Sequence, residues 1–568
     1  MKIYVDEAGY LLNGEKAAVS NESGEFKLVD AIEGKDICGN LEITETLDDA
    51  NAGEKAYRID FTSIKEPGSY YIEAADGSRS CTFSISKNVY KTAKNATLKA
   101  FYFQRCGCGL DKKYASVFEH PCCHDLNKVK LFEDPTTELD IKGGWHDAGD
   151  FGRYSTAASV ALAHMLYSYS LFPEGYEDTV NIPESGNGMP DVLNECLYEL
   201  KWLLKMQRKD GGVYHKLTTM RHADFIMPEY DKADLYVFPV SSMATADFAA
   251  VMALSYKIYR KFDASFAQKA LESAQRAGEW LIANKEFVNF TNPSECNTGD
   301  YSDYSDTDDR FWAFSELLSL SGSGEALVDK RDIYATEFSY YMEECLKEDA
   351  KQVKEKKAED GFGWLDVCNL SAFPILFSGS DAFDETSKDK LSHELFTKAE
   401  IYVSEAETNP YHLSMKPSDF IWGSNMVITN RADLLITAAL YLEKREDIAS
   451  NYKEGRISGS KKYLETALEQ IHYILGRNAM DTSFLTAIGD NSYKHPHNRP
   501  SECDGIDRPI PGQMSGGPCF PPLDPDGVKL VPKGAAPMKC YADDARCYSL
   551  NEITIYWNSS LLFALTFF

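Results

Sequence analysis

PDVLNECLYELKWLLKMQ, residues 190–207, repeats an apolar residue every three or four positions, at Leu193, Leu197, Leu200 and Leu204. That spacing stacks side chains on one face of a 3.6-residue turn, so the stretch reads as an amphipathic helix. Pro190 suits its first turn, where a missing N–H forfeits no hydrogen bond. KKYLETALEQIHYILGRN, residues 461–478, repeats the pattern with Leu464, Leu468, Ile471 and Leu475 and stops at Gly476, a residue suited to a C-cap. Similar stretches at 156–171, 243–261, 264–284, 308–320, 331–346, 428–444 and 552–567 bring the expected helices to roughly a dozen. A mainly α fold follows. So many helices must share one core, as antiparallel pairs closed into a ring would.

Residues 1–88 follow a different period. KIYVDEAGY, EFKLV, KAYRIDF, GSYYIEA and CTFSIS alternate apolar and polar residues between short Gly, Asn and Asp turns, which predicts a small β-sandwich ahead of a helical domain at 89–568. At 568 residues the chain calls for two or more domains, one of them large. With 88 acidic against 59 basic residues, its formal charge of -29 disfavours nucleic acid and anionic membrane and suits a neutral substrate. No stretch approaches the ~18 to 20 apolar residues of a membrane span. The first residues carry no apolar run of signal-peptide length, which favours the cytoplasm over a secreted chain whose signal has been trimmed. Fourteen cysteines, several adjacent or nearly so, do not look like a small disulfide framework.

The long loops at 106–155, 209–232, 289–307, 405–427 and 479–551 are where chemistry is expected, since long connections in compact domains are more often functional than idle. GGWHDAGDFGRY, residues 143–154, sets Asp147 and Asp150 on one glycine-broken turn. Two carboxylates so placed can hold a water between them, one taking its proton and the other orienting it. Spacing alone favours a calcium or turn-capping role. Trp145 and His146 beside them tilt the reading toward a sugar, because an indole face is a platform for a pyranose ring. A base that attacks a glycoside needs a distant acid, and Glu552 in NEITIYWNSSLLFALTFF, backed by Tyr556 and Trp557, is the candidate.

Together these segments resemble glycoside hydrolase family 9, the cellulase family with an inverting mechanism. GGWHDAGDFGRY resembles its aspartate signature, YKHPHNRPS (493–501) its substrate-binding signature and NEITIYWNSSLLFAL its C-terminal glutamate signature. SGNGMPDVLNECLYELKWLLKMQRKDGGVYHKLTT, FIWGSNMVITNRA and PGQMSGGP extend the likeness, and IYVDEAGYLLNGEKAAV resembles the opening of the immunoglobulin-like domain that precedes many such catalytic domains. The resemblance implies an (α/α)6 barrel after an immunoglobulin-like sandwich. It also implies an enzyme that cleaves β-1,4-glucosidic bonds in cellulose-like glucans or cellodextrins, with no cofactor in the chemistry. Asp150 is then the general base, Asp147 a second holder of the water and Glu552 the general acid, with the inverting carboxylates about 6.5 to 9.5 Å apart and an α-anomer as product. His497 and Arg499 match sugar-binding residues, while Asn498 replaces the usual second histidine.

Trp145, His146, Tyr214, His215, Trp422, Tyr556 and Trp557 are candidate sugar-facing groups, and Trp202, Trp280 and Trp312 are candidate core. The resemblance also implies a structural zinc on Cys106, Cys123 and His124. The family's fourth ligand is expected where Arg153 stands, so His120, Cys108 or Cys122 would have to complete the shell. YSDYSDTDD, with Asp306, Asp308 and Asp309, is a candidate calcium loop, although Arg310 follows it. Two other readings remain open here: an exo-acting glycosidase such as an exo-glucosaminidase, decided by loop closure over the cleft, and a non-catalytic glycan-binding relative, marked by loss of Asp150 or Glu552.

Overall fold

The computed structural model describes residues 1–125, 127–355, 361–443, 448–456 and 459–568. They fall into two compact units, Met1–Ala100 with Leu395–Phe568, and Phe101–Glu394.

The first unit holds the sandwich. One sheet runs in the order Ile3–Tyr4, Ala17–Ser20, Glu54–Asp60, Glu42–Asp49, and the other in the order Tyr10–Leu11, Phe83–Ser86, Gly68–Ala74, Phe26–Asp30, Asp36–Cys38. The period-two pattern does what it predicts: Tyr70, Ile72 and Ala74 point inward from one strand and meet Phe26, Leu28, Ile59, Phe61 and Phe83 from the others. Tyr10 is central, edge-on to both Phe61 and Phe83.

The same unit contains the helices Ser424–Glu443, Lys461–Ile474 and Ile555–Phe567, which pack on one another. Lys444, the last residue of the expected 428–444 stretch, lies outside the described residues. Ile555–Phe567 is buried along its whole length, as a helix apolar on every face must be. Helix Lys461–Ile474 also meets the sandwich through charge: Arg58 on strand Glu54–Asp60 forms a two-point ion pair with Glu469, and Asp6 meets His472 at 2.7 Å.

The second unit is built on the helices Ser155–Leu171, Asp191–Met206, Ser242–Tyr259, Ala264–Ala283, Thr307–Ser319 and Arg331–Glu355, most of them packed on a sequence neighbour. Helix Asp191–Met206 takes Pro190 as its N-cap, one position before the expected first turn. Its core face is Val192, Leu193, Cys196, Leu200, Leu203 and Met206, with Leu197 and Leu204 at the margin. Glu195 and Glu199 are buried on it too, and they turn out to position the site. Trp202, Trp280 and Trp312 are core, as expected.

Candidate active site

In the second unit, the turn at 143–154 is held from several sides. Gly144 has φ +81°, and an added Cβ would lie 2.7 Å from the Trp202 ring, so only glycine lets the loop pass this closely over helix Asp191–Met206. Glu199 accepts the backbone N–H of Trp145, and Glu195 accepts its indole N–H at 2.9 Å. Arg105 neutralises Glu195 through Nε and Nη2, at 2.9 and 2.8 Å. Gln104 donates to the carbonyls of His146 and Ala148, which clamps the backbone on both sides of Asp147.

Asp147 is buried, and Oδ2 accepts the Tyr301 hydroxyl at 2.6 Å. Its other oxygen, Oδ1, has no hydrogen-bond partner among the described residues. Burial pushes this carboxyl up to about 8, with the Asp150 charge adding to the shift and the Tyr301 hydrogen bond opposing it. Asp150 meets His222 Nδ1 at 3.1 Å and the Gly152 N–H at 3.3 Å through Oδ2. Tyr301 presents its hydroxyl from a left-handed backbone, φ +48°, and its ring packs on Tyr154 and Trp364. Strain of this kind persists only where the surroundings hold it. A pair of carboxylates with one free buried oxygen is suited to gripping and deprotonating a water.

In the first unit, Glu552 does not open the last helix: Thr554 caps it, accepting Trp557 N–H at 3.2 Å, and Glu552 sits just before, closing the short helix Tyr548–Asn551. Its backbone bridges to His497 and accepts from Gly516 N–H at 2.8 Å. His497 Nδ1 is 2.6 Å from the carbonyl of Ala545 and donates to it. Arg499 begins helix Arg499–Cys503, and Asn498, the departure from the family signature, caps that helix by accepting Ser501 N–H at 3.0 Å. Trp422 is 42% exposed and packs in a T-shaped contact with Tyr548.

Cys106, Cys123, His124 and His146 each bring a ligand atom within 4.8 Å of the others. His124 Nδ1 and His146 Nε2 are buried without a hydrogen-bond partner, and two cysteines with two histidines make a tetrahedral zinc set. Burial alone would raise the Cys106 thiol, but the bond to Cys123 and the Arg153 charge bring it below its usual value. His124 Nε2 meets Asp231 at 3.3 Å, an outer partner that would orient a ligating ring.

A family model described as glycosyl hydrolase family 9 matches residues 90–565. The chain belongs to that family. A second model, the cellulase N-terminal ig-like domain, matches residues 1–79. This family 9 member is 39% identical over 571 residues to a cellodextrinase from Butyrivibrio fibrisolvens, covering 100% of this chain and 99% of that protein. Among solved structures it is similar to a single mutant of a thermostable endoglucanase from Alicyclobacillus acidocaldarius, with TM-score 0.85, 29% identity and coverage of 100% and 99% of the two chains. It is also similar to a Zn-binding triple mutant of a family 9 endoglucanase, with TM-score 0.82, 30% identity and coverage of 98% and 99%. The chain is thus a glycoside hydrolase, of the mainly α barrel class with an immunoglobulin-like sandwich before it, as its sequence implied.

Several expected roles change. Trp145 is 1% exposed, with its indole bonded to Glu195 and its ring against Phe101, so it supports the turn from beneath and offers no face to a sugar. His146 belongs to the cysteine–histidine cluster, in the place for which His120, Cys108 or Cys122 had been the candidates. Arg153 instead donates to the carbonyls of Gly143 and Ile141 at 2.6 and 3.3 Å. His215 is buried and stacked on Phe290, with one nitrogen on Ser241 Oγ at 2.8 Å and the other on the Asp300 carbonyl at 2.9 Å. Tyr214 is buried, its surroundings being Arg208, Asp210 and Glu133. Trp557 is buried beneath Gly423 and Gly516, either of whose added Cβ would strike its ring at 2.9 Å, and Tyr556 is buried beside it.

In the acidic loop, Asp306 pairs with Arg310 at 2.7 Å and Asp308 accepts Val367 N–H at 2.9 Å, while Asp309 is buried near Asp247, Asp308 and Asp303, and burial with their charges raises its carboxyl. Asp306, Asp308 and Asp309 do not form one of the possible metal-ligand groups found among the described residues. The same loop supplied what the sequence reading missed: Tyr301, hidden among acids that invite a metal reading. His222 and Trp364 carried no motif at all.

Proposed function

We propose that this family 9 hydrolase cleaves β-1,4-glucosidic bonds in cellulose-like glucans and cellodextrins with inversion at C1. Asp150 is the general base, Asp147 the second holder of the water and Glu552 the general acid. The observation that carries the reading is the Asp147–Asp150 turn, with Asp147 Oδ1 buried and without a hydrogen-bond partner among the described residues. In the reaction, Asp150 takes a proton from the water as its oxygen bonds to C1, and Glu552 gives its proton to the departing glycosidic oxygen, so charge does not accumulate on either side. The sugar release is then an α-anomer. His497, Arg499 and the exposed Trp422 bind glucosyl units. The names of relatives, cellodextrinase and endoglucanase, support the substrate class. Residues 1–88 act as a packing partner for the catalytic residues 89–568.

The test is product analysis on cellopentaose, carboxymethylcellulose and chitosan oligomers with anomer detection. Cello-oligosaccharides of α configuration are expected. A β-anomer would sink the inverting roles, and glucosamine release without cellodextrin cleavage would sink the substrate class.

Tyr301 acts through Asp147 as a positioning residue. Tyr301→Phe should lower kcat roughly 10- to 100-fold with KM nearly unchanged, since it removes one hydrogen bond to a charged group. An equal change in KM would place Tyr301 on the sugar instead.

Zinc bound by Cys106, Cys123, His124 and His146 would tie the loops that flank the aspartate turn and supply no chemistry to the glycoside. Cys106→Ser, or dialysis against a chelator, should remove the zinc read by elemental analysis and lower the melting temperature by roughly 5 °C or more. An unchanged melting curve after metal loss would overturn the structural role.

A further inference from the structure

Away from the sugar-cleaving residues, segments of the first unit far apart in sequence converge on one point. Glu7 follows strand Ile3–Tyr4, Cys81 precedes strand Phe83–Ser86 and Asp481 follows helix Lys461–Ile474, and each offers a ligand atom within 4.8 Å of the other two. Glu7 is 6% exposed. Its Oε2 accepts Asn491 N–H at 2.7 Å, whereas Oε1 is buried with no hydrogen-bond partner. The side chain has little freedom to swing out, because it lies against Gly476 and Gly489 so closely that an added Cβ on either would collide with it.

A buried carboxylate oxygen left unpaired among other acids calls for a cation. Asp481, Asp490 and Asp6 all repel the Glu7 charge, and Lys2 is the cation that answers Asp481. Cys81 Sγ accepts Asn491 Nδ2–H at 3.2 Å, and Asn491 also donates its backbone N–H to Glu7, so one residue ties the sulfur to the carboxylate. Cys81 and Asp481 are partly exposed, which leaves an entry path and room for a water as a further ligand.

We propose that Glu7, Cys81 and Asp481 form a second metal site, separate from the cysteine–histidine set, that takes a borderline divalent cation of the zinc class. One sulfur with two carboxylates matches such an ion better than calcium, which prefers oxygen alone. Binding displaces the thiol proton to solvent, and the ion joins the segments before strands Tyr10–Leu11 and Phe83–Ser86 to the chain after helix Lys461–Ile474.

The experiment uses the full chain carrying Cys106→Ser and His146→Ala, so that the other set is disabled. Zinc by elemental analysis should read about one equivalent, and about none when Cys81→Ser or Asp481→Asn is added. Cobalt titration of the same background should give a thiolate-to-metal charge-transfer band that Cys81→Ser abolishes. In the otherwise unaltered enzyme, Cys81→Ser should leave hydrolysis unchanged and erase the part of the zinc-induced rise in melting temperature that depends on this site. No zinc retained in the disabled background, or zinc and a cobalt band that survive both Cys81→Ser and Asp481→Asn, would overturn the proposal.

Discussion

Asp150→Ala is expected to lower kcat on cellopentaose about 10^3-fold or more while the protein still folds, because a positioned general base contributes roughly 10^2- to 10^4-fold. Stability should hold, because the turn that carries Asp150 is fixed through other residues: Gln104 holds the carbonyls of His146 and Ala148, and Glu195 and Glu199 hold Trp145. Glu552→Gln is expected to be comparably damaging on natural oligosaccharides, but for a different reason that a second substrate exposes. An aryl cellobioside with an acidic phenol needs little protonation of its leaving oxygen, so the glutamine variant should recover much of its rate there and the alanine variant none. Azide added to Asp150→Ala should restore turnover by replacing the activated water and should yield the α-glycosyl azide. If Glu552→Gln proves equally slow on both substrates, or if Asp150→Ala turns over like the unaltered enzyme, the acid and base roles are wrong.

The two parts of the site differ in how visible they were in the sequence. Asp147, Asp150, Glu552, His497 and Arg499 sit in compact motifs, and it is the resemblance of those motifs to the family's signatures, rather than spacing, that singles them out. The residues that hold them are not marked that way. Glu195 and Glu199 lie one turn apart on helix Asp191–Met206, a spacing that ordinarily marks a solvated face, and only the fold brings Arg105 and the Trp145 N–H groups to them. Trp145 itself reads as a sugar platform because indoles beside carboxylates often are, yet the carboxylate it serves is on another helix. The donor to complete Cys106, Cys123 and His124 was sought at His120, Cys108 or Cys122, whereas the side chain that the fold brings to them is His146, from within the aspartate turn. Asn498 looked like a lost sugar contact, whereas its short amide is a good N-cap. The apolar periods, by contrast, carried over almost unchanged into helices and strands, because burial of an alternating face depends on nothing distant.

The largest stability effect is expected at Glu469. Burial would raise its carboxyl, but Arg477 and Arg58 overrule that and hold it well below the usual glutamate range, with His412 assisting. Arg58 contributes two hydrogen bonds at 2.8 and 3.0 Å, Arg477 closes from the other side, and the three side chains are nearly dry. Glu469→Gln leaves two buried guanidinium groups facing a neutral amide, which should cost about 3–5 kcal/mol. The three-fold replacement of Arg58, Glu469 and Arg477 by methionine should cost less than that one substitution, because it removes the uncompensated charges along with the pair. The pH dependence has a definite sign. A carboxyl whose folded value is depressed stabilises fully above its unfolded value, here 4.5, and loses that contribution as pH falls toward the folded value. Denaturant midpoints should therefore decline between pH 5 and lower values more steeply for the unaltered protein than for Glu469→Gln, and parallel curves would show that the ion pair does not govern acid stability. Since Arg58 belongs to the sandwich strand Glu54–Asp60 and Glu469 to helix Lys461–Ile474, the same loss predicts that a chain without residues 1–88 exposes an unanswered Glu469–Arg477 pair and unfolds more readily, while its KM for cellopentaose changes little.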